Sequence, residues 1–171
     1  SRVRPDFKIL TRSLLTGIPE IAEFMIPVPF PHEDNARELG LQMRNDTMAH
    51  LKSGGLVILF PAGKVATSEG WFGPAVEPEW NPFTHKMIMR SGATVLPIHF
   101  TGQNSRAYQI ANKLSATLRQ GLLLYEIRRA LFKPQRPYIG EPISADVLKD
   151  WEGNPRGFLA WLREHTLGLG R

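Results

Sequence analysis

The chain has 171 residues, 42% of them hydrophobic and 22% charged, which suits one globular domain with a sizeable core. It contains no cysteine, which excludes disulfides, cysteine-ligated zinc and a cysteine nucleophile. The net charge of +5 favours phosphate-bearing partners such as nucleic acid, anionic lipid or an acidic carrier protein, and no apolar run approaches the ~20 residues of a membrane span.

The first part of the chain alternates predicted strands and helices. Residues 3–10 predict a strand, and Ser13 is expected to cap a short helix. Residues 26–30 contain two prolines, which favour an extended segment at the edge of a sheet. The next helix is expected to start at residues 34–35 and to end at Gly54. The residues predicted for its apolar face are Leu39, Met43 and Leu51.

Residues 56–60 are apolar without a polar break, which predicts a central strand buried on both faces and ending at Pro61. Residues 67–80 predict a long loop, and loops of this length are usually functional or disordered. The remaining predicted elements are a helix from Asn81 to Gly92, a strand over 94–100, one or two helices over 105–131, a strand over 137–140 and a helix from Asn154. Because strands alternate with helices, we predict one α/β domain over residues 1–171, with a largely parallel central sheet flanked by helices.

A candidate anion site follows the predicted central strand. Gly63 allows a sharp turn there, and Lys64 then places a cation at the carboxyl end of the strand. Ligands of open α/β sheets bind at that edge. The alternative interpretation is an ordinary turn followed by a solvated lysine.

Several common catalytic motifs are missing from the sequence. There is no HExxH, no G-x-S-x-G, no Walker A motif and no G-x-G-x-x-G, and the basic residues are dispersed rather than clustered as in a nucleic-acid-binding stripe. We therefore expect no metal, no cofactor and no nucleic-acid partner. The five histidines are not spaced as a zinc pair, and each is predicted to be structural or solvated rather than catalytic: His32, His50, His85, His99 and His165.

The segment from Phe60 to Ala66, FPAGKVA, resembles the third signature block, F-P-E-G-T-R-S, of the glycerolipid (lysophospholipid) acyltransferase family. Leu96-Pro97-Ile98 is similar to the family's fourth block, an apolar-Pro-apolar strand, and one loop and one helix separate the two blocks as in the family. The resemblance covers nearly the whole chain. Residues 100–105, 122–124 and 139–143 are similar to the bacterial haemolysin-like branch, which includes acyltransferases of ornithine-lipid synthesis.

The chain departs from the family in its other blocks. The family's first block, H-x-x-x-x-D, supplies a histidine as general base and an aspartate that orients it. No histidine here has an aspartate five positions later, so we expect that block to lie upstream of this chain. Ala62 stands where the third block has glutamate, and Lys64-Val65 where it has Thr-Arg, although a lysine still suits an anionic head group. Residues 26–28 match the second block only in part, since its arginine is absent.

The resemblance implies transfer of a fatty acyl group from acyl-CoA or acyl-carrier protein to the hydroxyl of a lysophospholipid or lyso-ornithine lipid. It implies no acyl-enzyme intermediate and, in this chain, no catalytic residue. The competing hypothesis is a non-catalytic remnant that binds anionic lipid or an acidic carrier protein. The substrate-binding residues that the resemblance implies are Phe60, Pro61, Ala62, Gly63, Lys64 and Pro97.

We also expect a peripheral location on the cytoplasmic face of a bacterial inner membrane. The 105–131 region combines leucines with basic residues, as interfacial helices do, and the 67–80 loop carries Trp71, Phe72 and Trp80, which suit head-group depth. The alternative is that the leucines pack on the sheet and that the loop covers the pocket as a lid.

Overall fold

The computed structural model describes residues 4–12, 19–30, 33–71 and 73–171, with the backbone alone described at Arg12 and Ala116. The helix predicted after Ser13 lies outside these residues, as do His32 and Phe72. In chain order the elements are β1 (Phe7–Arg12), α1 (Pro19–Ala22), β2 (Met25–Val28), α2 (Ala36–Lys52), β3 (Leu56–Ile58), β4 (Thr67–Ser68), β5 (Ala75–Val76), α3 (Pro82–Ser91), β6 (Ile98–Phe100), α4 (Arg106–Leu114), α5 (Ala116–Ala130), β7 (Pro137–Ile139), α6 (Ala145–Lys149) and α7 (Pro155–Gly168).

The first three strands form a parallel sheet in the order β2-β1-β3. β1 is the middle strand, with Ile9 opposite both Met25 of β2 and Ile58 of β3. The prediction of a central strand over 56–60, buried on both faces, is therefore wrong: β3 is short, pairs with β1, and ends at Ile58, which is 36% exposed. An apolar run predicts burial, but strand order depends on pairing with distant parts of the chain.

The edge position predicted for residues 26–30 is confirmed by β2, which pairs with β1. Pro27 lies within this strand and has no N–H to donate, which an edge strand tolerates. β1 begins at Phe7, four residues later than the predicted strand, and Phe7 stacks on Phe24 with ring centroids 5.0 Å apart. That stacking packs the start of β1 against the residue just before β2.

Helix α2 crosses from β2 to β3 with nearly the predicted bounds. Its buried residues are Gly40, Met43 and Thr47, whereas Leu39 is 40% exposed, so the predicted apolar face is wrong in part. A Cβ added at Gly40 would lie 3.9 Å from Cγ of Pro29, which shows how closely this side of the helix approaches the end of β2. The core cluster of this half of the protein consists of Leu10, Ile26, Met43 and Met87.

The stretch predicted as a long loop contains one short strand pair, and its described residues are anchored to other parts of the fold. Thr67 of β4 pairs with Val76 of β5 in antiparallel register. Side chains from α4, α7 and the segment before α4 hold this stretch through its main chain. The bonds are Ser68 N to Gln109 Oε1 (2.9 Å), Ala75 N to Gln103 Oε1 (2.8 Å), Lys113 Nζ to Glu69 O (2.5 Å) and Arg163 Nε to Pro78 O (3.2 Å).

Helices α3 and α7 start where the sequence predicted, each with an asparagine cap followed by proline. The Asn81 side chain accepts a bond from Phe83 N, and the Asn154 side chain accepts one from Gly157 N. Gly92 ends α3 with φ of 61°, a left-handed conformation that glycine adopts without strain. The two helices pack on a second core cluster made of Ile143, Leu148, Phe158, Leu159 and Leu162.

The last two strands form a separate antiparallel pair, with Ile98 of β6 opposite Ile139 of β7. The prediction of a largely parallel sheet thus holds for β1–β3 but is wrong for β4–β5 and β6–β7. The chain is a mixed α/β protein. The strand predicted over residues 137–140 is present as β7. Its antiparallel pairing with β6 was not predicted, because sequence pattern does not specify strand direction.

The 105–131 region forms two helices that meet at Ser115, which ends α4 and caps α5. They run back along each other, since Ser105 at the start of α4 is bonded to Glu126 near the end of α5. Within the ranges that the structure describes, no helix has the length and apolarity needed to cross a membrane.

Candidate functional site

The segment Phe60–Gly63 forms a tight turn just after β3. Gly63 N donates to Phe60 O at 3.0 Å, with Pro61 and Ala62 at the two central positions. Ala62 does not have positive φ, so this is a type I turn, for which proline at the first central position is well suited. Gly63 itself has φ of 61°, and this left-handed residue directs the chain onward to Lys64.

The turn is joined to the start of α3. Pro61 O accepts a hydrogen bond from Asn81 N at 2.9 Å, so the third-block residues and the helix cap are held together. The amides of this helix start are occupied within the fold: Phe83 N bonds to Asn81 Oδ1 and Thr84 N to Asn81 O, both at 2.9 Å. The Lys64 side chain, which is exposed, is the cation that this turn presents.

Lys64 stands between two exposed apolar side chains. Phe60 is 64% exposed, Val65 is 44% exposed, and Lys64 is exposed as well. Phe60, Lys64 and Val65 therefore give this part of the surface both apolar and cationic groups. Such a surface can pair with the anionic group of a ligand while covering part of an attached apolar chain.

Pro97 precedes a strand that belongs to a different sheet from β3. It is buried just ahead of β6, and its carbonyl accepts a bond from Gly140 N at 3.0 Å. A Cβ added at Gly140 would lie 3.0 Å from Cγ of Pro97 and 3.1 Å from the methyl carbons of Leu169. Pro97 therefore fills space between the β6–β7 pair and the end of α7, whereas the other five predicted site residues are contiguous.

Two histidines on α2 and α3 are held inside the fold. His50 Nε2 lies 2.7 Å from Asp6 O, and a Cβ added at Gly55 would lie 2.4 Å from the same nitrogen. His85 is buried, with its ring edge-on to Phe158 at 5.4 Å between centroids. In the described part of the chain its Nε2 has no hydrogen-bond partner.

The other two described histidines face aromatic rings. His99 lies 6.5 Å from the ring of Tyr138, and His165 is stacked on Trp161 with centroids 5.6 Å apart. Within residues 4–12, 19–30, 33–71 and 73–171, no histidine is hydrogen-bonded to a carboxylate, and no group of three acidic or histidine side chains could hold a metal ion. None of these four described imidazoles is therefore oriented as a base by a carboxylate.

Two open grooves lie away from the turn. One, of about 460 Å³, is lined by Trp161, Glu164, His165, Gly168 and Leu169 along α7. The other, of about 490 Å³, lies at the amino edge of the parallel sheet, opposite the edge that presents Lys64. Its lining residues are Lys8, Met25, Ile26, Asp46, Ala49, His50 and Ser53.

A buried carboxylate between α4 and α5 is a feature that sequence reasoning missed. Glu126 is 7% exposed, and it accepts bonds from the Ser105 amide at 3.1 Å and from the Ser105 hydroxyl. Arg129 lies 3.6 Å from the same carboxylate. Burial raises the pKa of the nearby Tyr108 phenol, with Arg119 opposing the shift and Glu126 adding to it.

The bonds of Glu126 to Ser105 join α5 to the start of α4. Arg119 Nη1 donates to Asn112 Oδ1 at 2.9 Å, a second link between α5 and α4. A signal was present in the sequence, because Glu126 is the single acid between residues 105 and 136 and lies in a leucine-rich stretch. A lone acid among apolar residues needs a partner when it is buried.

Comparison of the chain with protein-family models, with curated proteins and with solved structures finds no match. These comparisons therefore assign the chain to no family.

Proposed function

We propose that this chain is the substrate-binding part of an acyltransferase. The reaction moves a fatty acyl group from acyl-CoA or acyl-carrier protein to the hydroxyl of a lysophospholipid or lyso-ornithine lipid. The observation that carries the proposal is the turn after β3, where exposed Lys64 stands between exposed Phe60 and Val65 at the carboxyl edge of a parallel sheet. Ligands of α/β sheets bind at this edge.

Lys64 and its neighbours suit both substrates of such a reaction. An acyl-CoA and a lysolipid each combine phosphate or another anionic group with a long apolar chain. The ammonium group of Lys64 pairs with the anion, and Phe60 and Val65 cover the first part of the chain. The FPAGKVA segment that presents these groups also resembles the third block of the glycerolipid acyltransferases.

In the proposed reaction the acceptor hydroxyl attacks the thioester carbonyl carbon, a new C–O ester bond forms, and the C–S bond breaks. The hydroxyl proton leaves with a general base and ends on the departing thiol. Of the four described histidines, His50 is bonded to the main chain and His85 is buried. His99 is tilted against Tyr138, and His165 is stacked on Trp161. The proposal therefore gives this chain the binding and positioning of substrate.

A second candidate function is binding of an anionic lipid or an acidic carrier protein without turnover. The same histidine placements favour it, because no described histidine is oriented by a carboxylate. Both candidates predict ligand binding at Lys64 and differ in whether an acyl group is transferred. Both candidates are compatible with a peripheral location on the cytoplasmic face of the membrane. We propose that location because the acceptor lipid lies in the membrane.

Lys64→Ala is expected to weaken binding of palmitoyl-CoA and of CoA alone by about fivefold, because an exposed cation contributes up to ~1 kcal/mol to one ion pair. Lys64→Glu should weaken both further by repelling the phosphates. Isothermal titration below the micelle concentration measures each affinity. The matched control is Lys52→Ala, an exposed lysine at the end of α2 on the other edge of the sheet. Equal affinities for Lys64→Ala and the unchanged chain would refute the anion site.

Phe60→Ser is expected to separate the apolar contact from the ionic one. It should weaken palmitoyl-CoA binding by about tenfold and leave CoA binding unchanged, since CoA has no acyl chain to cover the ring. The same titrations measure the effect, with exposed Leu41→Ser on α2 as the control. A loss of CoA affinity in Phe60→Ser would show instead that the substitution disturbs the turn.

A further inference from the structure

The basic residues are dispersed along the chain, but its net positive charge comes from one segment. Residues 113–136 contain six of the 21 lysines and arginines but one of the 16 acidic residues, which is five net positive charges. The rest of the chain has 15 residues of each sign and is neutral overall, so the whole net charge of +5 belongs to this segment. The six cations are Lys113, Arg119, Arg128, Arg129, Lys133 and Arg136.

The same segment exposes large apolar side chains. Leu124 is 73% exposed, Leu131 is 67% exposed, and Phe132, at 87%, is the most exposed large apolar residue in the described ranges. Leu124, Ile127 and Leu131 are spaced by three and four residues, so they follow one another along one side of α5 and its final turn. Arg128 and Lys133 border this apolar stripe and are exposed.

The orientation of α5 is set by its opposite side. Glu126 faces α4 and holds Ser105, while Arg119 reaches Asn112, so these polar links fix which side of α5 is inward. The stripe of Leu124 and Ile127 is consequently turned outward. Four leucines of this region are exposed, namely Leu114, Leu118, Leu124 and Leu131, whereas Leu122 and Leu123 are half-buried. The alternative interpretation, in which the leucines pack on the sheet, is therefore wrong for the exposed ones.

We infer that α5 and its final turn are a docking surface for an anionic lipid bilayer. The helix lies along the interface with Leu124, Ile127, Leu131 and Phe132 at the acyl boundary, and the bordering cations contact lipid phosphates. Charge decides between a bilayer and a second copy of this chain: pairing two α5 surfaces would bring exposed Arg128 and Lys133 of one copy against those of the other, whereas anionic lipid complements them.

This inference deepens the peripheral location proposed above by naming the element and the lipid class. It stands on the charge and exposure of residues 113–136 and does not depend on Lys64 or on acyl transfer. Failure of the Lys64 titrations would leave it intact, and failure of vesicle binding would leave the Lys64 site intact.

Vesicle sedimentation tests it with the 171-residue chain. Binding is expected with vesicles of phosphatidylcholine plus phosphatidylglycerol, little binding with phosphatidylcholine alone, and loss of binding at high salt because exposed charges are screened. Arg128→Gln with Lys133→Gln should weaken vesicle binding about 25-fold at low salt, because loss of each cation near the surface weakens binding about fivefold. Leu124→Gln with Leu131→Gln should weaken binding by about tenfold or more at the same low salt concentration.

Helix α2 provides matched controls, since Arg37→Gln with Arg44→Gln and Leu39→Gln with Leu41→Gln change exposed residues of the same kinds. Circular dichroism checks that each variant folds. Phe132→Trp gives a second measurement: brominated lipid should quench the added tryptophan fluorescence, and Leu41→Trp should stay unquenched.

Three results would overturn the inference. One is a chain that stays in the supernatant with anionic vesicles at low salt. Another is equal loss of binding in the α2 and α5 variants. The last combines two observations: analytical ultracentrifugation shows a dimer that Leu124→Gln with Leu131→Gln dissociates, and the chain does not bind vesicles. That result would assign the surface to a second copy of the chain.

Discussion

Phe158→Ala is expected to lower the free energy of unfolding by about 4 kcal/mol, the usual size of a large-to-small change that leaves a cavity in a packed core. Phe158 is 0% exposed and joins α7 to its neighbours. Its ring lies 5.4 Å from His85, 6.3 Å from Trp151 and 6.1 Å from Trp161, centroid to centroid. Urea denaturation followed by circular dichroism and by tryptophan fluorescence measures the change.

The matched control is Phe132→Ala, the same substitution at a side chain that is 87% exposed. Its effect on stability should stay within about 0.5 kcal/mol, because little packing is lost. If Phe158→Ala cost no more than Phe132→Ala, the second core cluster would not hold α7 as described. The comparison matters for function because Phe132 is also proposed to contact lipid, so the control variant should remain folded while binding vesicles more weakly.

No acyl transfer above the uncatalysed rate is expected from the 171-residue chain with palmitoyl-CoA and a lysophospholipid. A positioned general base contributes about a hundred- to ten-thousandfold to such reactions. Here His50 is bonded to the main chain, His85 is buried, and His165 is stacked on Trp161. Release of free thiol and formation of the diacyl product, each measured against a reaction without protein, check the prediction.

Transfer at a clear rate would contradict this and would place a base within the chain. Substituting each histidine by alanine in turn would then identify it. If Lys64→Ala slowed that transfer by raising KM and left kcat unchanged, the result would favour an enzyme over a binding protein without turnover. Binding at Lys64 with no transfer is the outcome that both proposed functions share for this chain alone.

Local signals in the sequence determined several elements correctly. Asn81-Pro82 and Asn154-Pro155 predict helix starts because asparagine caps a helix and proline suits its first turn, and both caps have the expected hydrogen bonds. Gly92 predicts a helix end for an equally local reason. The turn from Phe60 to Gly63 also follows from its own residues, so the exposed position of Lys64 was within reach of the sequence.

Tertiary structure alone decided how these pieces lie relative to one another. β1 rather than β3 became the middle of the parallel sheet, and β7 paired antiparallel with β6, because strand order and direction depend on pairing between distant residues. The described residues of the 67–80 stretch are anchored by side chains more than 25 residues away, such as Gln103 and Arg163.

The same contrast applies to the surfaces proposed to bind ligand and lipid. The sequence by itself determined that residues 113–136 are basic and leucine-rich, since charge and composition do not depend on the fold. Which leucines face outward was decided by the buried bonds of Glu126 to Ser105, because an amphipathic pattern with apolar residues on several sides does not select one inward side. Likewise, the residues from Phe60 to Lys64 adjoin one another by sequence. Tertiary structure decided that the strand after Pro97 pairs with β7, a contact across some 40 residues, and not within the sheet of β3.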